Sequence, residues 1–363
     1  MKISKSGRRV SAAAAVLGIS ALALAACGAA PAESGKSGDA APAKDFLACI
    51  VSDSGGFDDQ SFNQSSWEGL QKAKTDLGVE VKKAESKANG DFATNLNGMV
   101  AANCDLTYSV GFLLADATKA TATANPKSNF AIIDDSSIEL PNVKSLTYDT
   151  AQAAYLAGYV AAAQSKTGTV ATFGGMKIPT VTIFMEGFSQ GVAKYNEAKG
   201  KSVKVLGWDS AKQDGTFTGD FEKQDKGKQV TQTFLDQGAD IVMPVAGPVG
   251  KGAAAAVKEA NAGGKDAALV WVDSDGYNSA SQYKELMLTS VVKAMDTSVE
   301  DVTKQASEGK FTNEAYVGTL ANGGVSIAPF HDFDSKVSDE TKKEVEDLKQ
   351  QIIDGKIKAE AKN

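Results

Sequence analysis

A short polar and aromatic run, DSGGFDDQSFNQ (residues 53–64), combines side chains that can bind a small polar ligand. It contains three carboxylates, Asp53, Asp58 and Asp59, together with the amide of Asn63 and two phenylalanines. Three chemistries use such a set: metal binding, bond hydrolysis, or hydrogen bonding to ligand hydroxyl groups. An ionised carboxylate accepts from two donors, so paired Asp residues suit vicinal diols, and an aromatic ring can stack on a flat group.

The spacing of these carboxylates separates the three alternatives. An EF-hand calcium loop needs oxygen ligands at alternating positions and a terminal Glu, and this run lacks that frame. A nucleoside hydrolase carries a calcium-binding carboxylate cluster, which Asp53, Asp58 and Asp59 match only in part, because Val51 occupies the position of the leading Asp. The run best fits binding of a neutral polyol with a flat end, that is a nucleoside or, failing that, a sugar.

Carboxylates and glycines also follow other predicted strands. Asp134 follows the apolar run FAII, Gly247 follows DIVMPV, and Asp273 follows ALVWV. The run VKVLGW ends in Trp208 and is followed by Asp209. Ligands of parallel sheets bind beyond the carboxyl ends of the strands, so we expect these residues at one site. A single Asp at a strand end can equally be a helix cap, and it is the recurrence that favours a site.

The elements that position these residues alternate between strand and helix. Short apolar β-rich runs are separated by helical patterns at residues 61–77, 151–165, 180–198, 228–237 and 251–262. This alternation predicts an α/β fold with parallel sheets covered by helices. About 320 residues follow the N-terminal region, which suggests two domains with a ligand cleft between them.

The N-terminal region has the form of a lipoprotein signal peptide at residues 1–26. Basic residues precede an apolar run that ends in LAAC, followed by Gly. Cys27 is therefore predicted to be acylated and to anchor the protein at the membrane by buried acyl chains. Residues 27–44 are rich in Ala, Gly, Pro and Ser, which predicts a flexible tether.

Charge and rare residue types exclude several functions. Without the four leader cations the chain has 34 basic and 45 acidic residues, a net charge near −11, and no basic patch for nucleic acid. Both arginines, Arg8 and Arg9, lie in the leader, which disfavours organic acids and nucleotides as ligands. With His331 as the single histidine, we expect no His-based triad, no multi-histidine metal site and no cofactor.

The two remaining cysteines suit an exported protein. Cys49 lies in the first predicted strand and Cys104 just precedes another. Neighbouring strands of a parallel sheet would bring them together, so a disulfide is favoured over two buried thiols. Closing this loop would stabilise the fold by roughly 4 kcal/mol on the chain-entropy model.

The longer run DSGGFDDQSFNQSSWEGL resembles the opening motif of the basic membrane protein (BMP) family, also called PnrA-like purine nucleoside receptors. These are lipoprotein substrate-binding components of ABC transporters. The resemblance spans about residues 46–328 and continues in the same order through SVGF (109–112), YDTAQAAYLAG (148–158), PVAGPVGKG (244–252), VDSDG (272–276) and LTSVVK (288–293).

The resemblance implies a type I periplasmic-binding fold of two doubly wound parallel-sheet lobes joined by a three-strand hinge. Lobe 1 would contain residues 45–147 with a return segment at about 287–363, and lobe 2 residues 148–286. The implied function is binding and not catalysis. A monomeric, lipid-anchored protein outside the cytoplasm would capture nucleosides, with a preference for purine nucleosides, and deliver them to ABC permease and ATPase subunits. A sugar or polyol receptor is the alternative, and a nucleoside hydrolase is less favoured.

The resemblance also implies a set of ligand-binding residues drawn from both lobes: Asp53, Asp59, Phe62, Asn63, Asp134, Phe221, Gly247, Asp273 and Lys293. Phe62 would stack on the base, and Lys293 would pair with a ribose-binding carboxylate or donate to a hydroxyl. The second stacking aromatic stays open between Phe221 and three alternatives: Phe217, Trp208 and Phe184.

Overall fold

The computed structural model describes residues 45–360. The predicted signal peptide, Cys27 and the tether lie outside these residues. The described strands are β1 (Leu47–Val51), β2 (Glu80–Ala84), β3 (Leu106–Val110), β4 (Asn129–Ile133), β5 (Val143–Tyr148), β6 (Thr169–Gly174), β7 (Lys204–Leu206), β8 (Trp208–Asp209), β9 (Asp214–Gly215), β10 (Ile241–Val245), β11 (Ala268–Asp273), β12 (Met287–Lys293), β13 (Tyr316–Gly318) and β14 (Val325–Ile327).

Helices separate most of these strands. They are α1 (Phe62–Leu77), α2 (Phe92–Ala101), α3 (Ala115–Ala124), α4 (Thr150–Gln164), α5 (Pro179–Lys199), α6 (Gln224–Asp236), α7 (Val249–Ala262), α8 (Gly276–Ser279), α9 (Met295–Ser307) and α10 (Asp339–Ile353). Short 3₁₀ segments occur at Asn89–Asp91, Phe112–Leu114, Ser281–Leu286 and His331–Phe333. The five helices predicted by periodicity in the α/β region are present, with ends that differ by a few residues.

Two six-stranded sheets define the two lobes. The first sheet has the order β13-β5-β4-β3-β1-β2 and all of its neighbouring strands are parallel. The second has the order β14-β12-β11-β10-β6-β7, and only β14 runs antiparallel to its neighbour. The central strands are buried throughout and rich in Val, Ile and Leu, as parallel strands covered on both faces require. The predicted parallel α/β architecture is confirmed.

The chain passes between the sheets three times: after β5, after β12, and between β13 and β14. The return segment expected at about 287–363 is therefore wrong in part. Strand β12 pairs with β11, and β14 pairs with β12, so both belong to the second sheet. In the C-terminal region, α9 packs on α1 and β13 pairs with β5, so this segment belongs to the first lobe.

The predicted strand VKVLGW is interrupted at Gly207. This residue has φ +82°, and a Cβ there would lie 2.0 Å from the carbonyl oxygen of Thr172. The chain turns, and β8 pairs with β9 in a separate two-stranded sheet. Trp208 and Asp209 are consequently carried away from the strand ends where they were expected.

The first sheet is covalently cross-linked. Cys49 in β1 forms a disulfide with Cys104, which precedes the neighbouring strand β3. Within residues 45–360, no helix combines the length and the apolar character needed to cross a membrane.

Candidate functional site

A cavity lies where the carboxyl ends of strands from the two sheets face each other. The predicted residues that line it come from both lobes: Asp53, Asp59, Phe62, Asn63, Asp134, Phe221, Gly247, Asp273 and Lys293. The structure thus brings together every residue of the ligand-binding set implied by the family resemblance.

Lys293 contributes a buried ammonium group to the wall of this cavity. Lys293 is the last residue of β12 and is 3% exposed. Its Nζ is 2.5 Å from Asp134 Oδ2 and 3.5 Å from Asp273 Oδ1. Burial disfavours the charged ammonium, but the two carboxylates outweigh burial and raise the pKa of Lys293. The lysine is therefore a buried cation that holds one aspartate from each lobe.

The two aspartates beside Lys293 have unusual backbone conformations. Asp134 directly follows β4 with φ +65°, and Asp273 ends β11 with φ +70°. Asp is one of the few side chains that populate this left-handed region, and such residues cluster at functional sites. Asp273 also accepts a hydrogen bond of 2.8 Å from Ser61 Oγ in the opposite lobe.

Asp59 acts mainly as a cap for helix α1. Its Oδ1 accepts from the backbone N–H groups of Ser61 and Gln64, and its Oδ2 accepts from the backbone N–H of Asn63 at 2.8 Å. Burial raises the pKa of Asp59 to about 6 despite these donors. Since both oxygens already have partners, Asp59 fixes the start of α1 and the position of Asn63.

Asp53 and Asn63 form a buried pair at the cavity wall. Asn63 Nδ2 donates to Asp53 Oδ1 at 2.8 Å, and Asn63 Oδ1 has no partner within the described part of the chain. Burial, together with the nearby carboxylates, raises the pKa of Asp53 well above its usual value. Gly111 permits the close approach of this carboxylate, since a Cβ at φ +110° would lie 2.5 Å from Asp53 Oδ2. The pair offers a ligand a free amide oxygen and a carboxyl group.

Four aromatic rings line the cavity: Phe62, Phe112, Phe184 and Phe221. Phe62 and Phe184 have their ring centroids 4.9 and 5.2 Å from Lys293 Nζ, and Phe221 lies against Gly175. Of the four aromatics considered for the second stacking position, Phe221 and Phe184 line the cavity, whereas Phe217 and Trp208 are not among its lining residues. Trp208 is buried elsewhere, where its Nε1 donates to Glu186 at 2.8 Å.

Sequence reasoning missed part of the lining. Phe112, which follows β3, lines the cavity, as do residues before and within the first turn of α5. The additional lining residues are Ser54, Gly111, Phe112, Leu113, Ile178, Thr180, Val181, Val245, Ala246 and Pro248. The sequence signal for the residues that follow β3 was a glycine, Gly111, followed by the apolar residues Phe112 and Leu113 at the end of a strand.

A second set of contacts joins the lobes at the outer rim of the cleft, and we call it the rim contact. The backbone carbonyl oxygen of Gln60 accepts hydrogen bonds from Trp271 Nε1 at 3.1 Å, Ser274 Oγ at 3.2 Å and Ser279 Oγ at 2.9 Å. Gln60 has φ +64°, a left-handed conformation that is uncommon for Gln. Nearby, Lys251 Nζ donates to the carbonyl oxygen of Asp58 at 2.9 Å.

The acidic character of the site raises the question of a metal ion. Across residues 45–360, no group of three or more His, Cys, Asp or Glu side chains has an arrangement suited to holding one. The carboxylates instead have specific partners: Lys293 for Asp134, Asn63 for Asp53, and helix N–H groups for Asp59. These partners leave acceptor oxygens and one buried amide oxygen for a hydroxylated ligand.

The fold and the interlobe cleft define a substrate-binding protein of an ABC transporter. The structure is similar to an ABC transporter solute-binding protein from Aeropyrum pernix K1, with a TM-score of 0.78 and 26% identity over 86% of this chain and 92% of that one. Residues 46–363 match the family described as ABC transporter substrate-binding protein PnrA-like, and the chain belongs to this Bmp family.

Two curated relatives extend along nearly the whole chain. The ABC transporter nucleoside-binding protein BmpA of Lactococcus lactis subsp. cremoris is 35% identical over 332 residues, covering 88% of this chain and 90% of the relative. A CD4+ T-cell-stimulating antigen of Listeria innocua is 34% identical over 360 residues, covering 94% and 96%. The family predicted from the sequence motifs is confirmed.

Proposed function

We propose that this protein binds nucleosides, and purine nucleosides first, in the cleft between its two lobes and delivers them to the permease and ATPase subunits of an ABC importer. The observation that carries the proposal is the composition of the cavity wall. It combines aromatic rings with Asp134, Asp273 and Lys293 in one enclosed site. The name of the Lactococcus relative, a nucleoside-binding protein, supports the same ligand class.

Each half of a nucleoside has matching chemistry in this wall. The ribose diol donates two hydroxyl groups, and the Asp134 and Asp273 carboxylates accept them on either side of Lys293. The base stacks on Phe62, with Phe221 or Phe184 as the second ring, and its polar edge meets Asp53 and the free amide oxygen of Asn63. Nucleotides are disfavoured, because the cavity wall contains four aspartates and a single lysine, and this excess of acidic groups repels a phosphate.

Binding is coupled to closure of the lobes. The ligand gains contacts with both lobes only when they are closed, and so it shifts the hinge equilibrium toward the closed state. The rim contact adds hydrogen bonds that likewise exist only in the closed state. An acyl group on Cys27 is the proposed anchor, and it would hold the protein, as a monomer, on the extracytoplasmic face of the cell membrane beside its permease.

The test is calorimetric titration of the full-length protein in detergent, after denaturation and refolding to remove carried-over ligand. The titrants are adenosine, guanosine, inosine, cytidine, uridine, ribose, glucose and adenosine 5′-monophosphate. We expect submicromolar binding of purine nucleosides, recovered intact, and no heat from ribose, glucose or the nucleotide. Tight binding of a hexose with silent nucleosides would support a sugar receptor instead.

One substitution ties the result to the cavity. Phe62→Ala is expected to weaken nucleoside binding by roughly 1–3 kcal/mol, the usual cost of losing one base–aromatic stack. Phe311→Ala is the matched control, since this half-buried ring lies outside the cavity lining. Equal affinities of the native protein and the Phe62→Ala variant would remove this ring from the binding site.

A further inference from the structure

A second cavity, which we call the hinge cavity, adjoins the ligand cleft. It has a volume of about 170 Å³ and shares three lining residues with the cleft: Asp134, Thr180 and Lys293. Its other lining residues are Thr147, Tyr148, Thr150, Pro179 and Ile183. Tyr148 and Thr150 flank the first crossing between the lobes, so the hinge cavity lies on the hinge side of the Asp134–Lys293 ion pair.

Four of the six polar side chains that line the hinge cavity have protein partners. The Tyr148 hydroxyl is 2.6 Å from Ser298 Oγ, and Thr147 Oγ1 donates to the carbonyl oxygen of Tyr316. Asp134 and Lys293 pair with each other. A buried water needs two to four polar partners, and such a wall offers few. The cavity therefore suits an apolar group better than a water cluster.

Of the two hydroxyl groups in this wall without a partner among residues 45–360, those of Thr150 and Thr180, only that of Thr150 is fully buried. Thr150 is 0% exposed, and its Oγ1 makes no hydrogen bond to any residue in the described range 45–360. A buried hydroxyl without a partner costs about 1–3 kcal/mol, so it is a favourable position for a ligand acceptor. A thioether sulfur or an ether oxygen is an acceptor carried by an otherwise apolar group.

We propose that the hinge cavity is a subsite for a small apolar substituent at the 5′ position of the bound nucleoside, an alkylthio or alkoxy group. This inference rests on the proposed nucleoside function. A substituent at the 2′ or 3′ position would remove a hydroxyl donor from the acceptors Asp134 and Asp273, whereas a 5′ substituent leaves the diol intact. The surrounding carboxylates exclude a 5′-phosphate by repulsion.

The substrate class is therefore wider than unmodified nucleosides. It includes 5′-deoxy-5′-alkylthio nucleosides, whose neutral sulfur and methyl group match an apolar cavity with one buried hydroxyl donor. Ile183 is the residue that tests this class, because it lines the hinge cavity and not the ligand cleft. A larger ring at this position fills the hinge cavity without altering the side chains proposed to contact the base and ribose.

The experiment measures the dissociation constants of adenosine and of 5′-deoxy-5′-methylthioadenosine for the full-length protein, using native protein, Ile183→Phe and a control, Ile353→Phe, on the exposed side of α10. We expect the methylthio compound to bind within threefold of adenosine or more tightly. Ile183→Phe is expected to weaken binding of the methylthio compound at least tenfold and binding of adenosine less than twofold. Ile353→Phe is expected to change neither affinity.

Several outcomes overturn the inference. If adenosine binds but the methylthio compound binds at least 100-fold more weakly, this inference is overturned while the proposed function stands. The same holds if Ile183→Phe changes the affinity for both ligands equally or for neither. Absence of binding by every nucleoside would overturn the proposed function and this inference with it. Should Ile183→Phe fail to fold, Ile183→Ala enlarges the cavity and is expected to tighten binding of a 5′-isobutylthio analogue at least fivefold; no gain would contradict the subsite.

Discussion

The outer rim of the cleft and its hinge end are built differently. At the rim, one backbone carbonyl oxygen, that of Gln60, accepts three hydrogen bonds from the opposite lobe. At the hinge end, the hydroxyl of Thr150 is buried and has no partner among residues 45–360, and open volume remains beside it. The rim thus fixes how the lobes meet, whereas the hinge end leaves room for variation in the ligand.

Lys293 belongs to both ends, because it lines the ligand cleft and the hinge cavity. Under the proposed function, closure and ligand binding would both depend on this one buried charge. Affinity would then have two separable sources: interlobe hydrogen bonds at the rim, and ligand contacts around the lysine. Substitutions at each place should separate them.

Removing the buried charge should have the largest effect. Lys293→Met leaves Asp134 and Asp273 buried without their cation, and breaking a buried pair in this way costs about 3–5 kcal/mol of the free energy of unfolding. Urea unfolding without ligand measures the loss. The loss should be larger at pH 8 than at pH 5, because burial raises the pKa of Asp134 in the folded state, and without its cation this carboxyl group takes up a proton at the lower pH.

Two further variants test whether the loss of stability is specific to the buried charge of Lys293. Lys119→Met removes an exposed lysine of α3 and should change stability by less than about 0.5 kcal/mol. Asp134→Asn combined with Lys293→Met should recover part of the loss, since it removes one uncompensated carboxylate. A double variant no more stable than Lys293→Met would contradict the charge argument.

The rim contact should have an intermediate effect that appears only in binding. Ser274→Ala with Ser279→Ala removes two of the three donors to the Gln60 carbonyl oxygen, and each net hydrogen bond contributes about 1 kcal/mol. Nucleoside affinity should fall roughly tenfold, mainly through faster dissociation, which stopped-flow displacement measures. Ser281→Ala, an exposed serine of the same lobe, is the control and should bind like the native protein.

The hinge end should show the smallest effect. Thr150→Val removes a hydroxyl that has no partner in the described structure, so ligand-free stability should change by less than about 0.5 kcal/mol or rise slightly. Thr303→Val removes a buried hydroxyl bonded to Tyr108 and the Val299 carbonyl, and should cost about 1 kcal/mol. Equal losses in thermal unfolding would mean that the Thr150 hydroxyl is satisfied in solution.

The strand-end residues of the site were predictable because their positions follow from local pattern. Asp134, Gly247 and Asp273 each follow an apolar run, and parallel strands bring such residues to one edge of a sheet. The family resemblance added Phe221 and Lys293, whose places in the cavity no local pattern indicates.

Features that depend on backbone conformation or distant pairing were not predictable in this way. Gly207 interrupts a strand whose composition is otherwise favourable, so Trp208 leaves the cleft. Strand β12 joins the second sheet through its register with β11, which composition does not reveal. The rim contact depends on the main-chain carbonyl of Gln60, and a main-chain acceptor has no side-chain signature.

The indole of Trp271 gives this molecule an optical property. Of the three tryptophans in the sequence, Trp67 packs on Phe57 in the first lobe and Trp208 bonds Glu186 in the second, whereas Trp271 donates across the cleft to Gln60. Separation of the lobes would transfer that N–H group from a protein carbonyl to water and shift its emission. Under the proposed closure of the lobes, the fluorescence of Trp271 would therefore report the rate of closing without an added label.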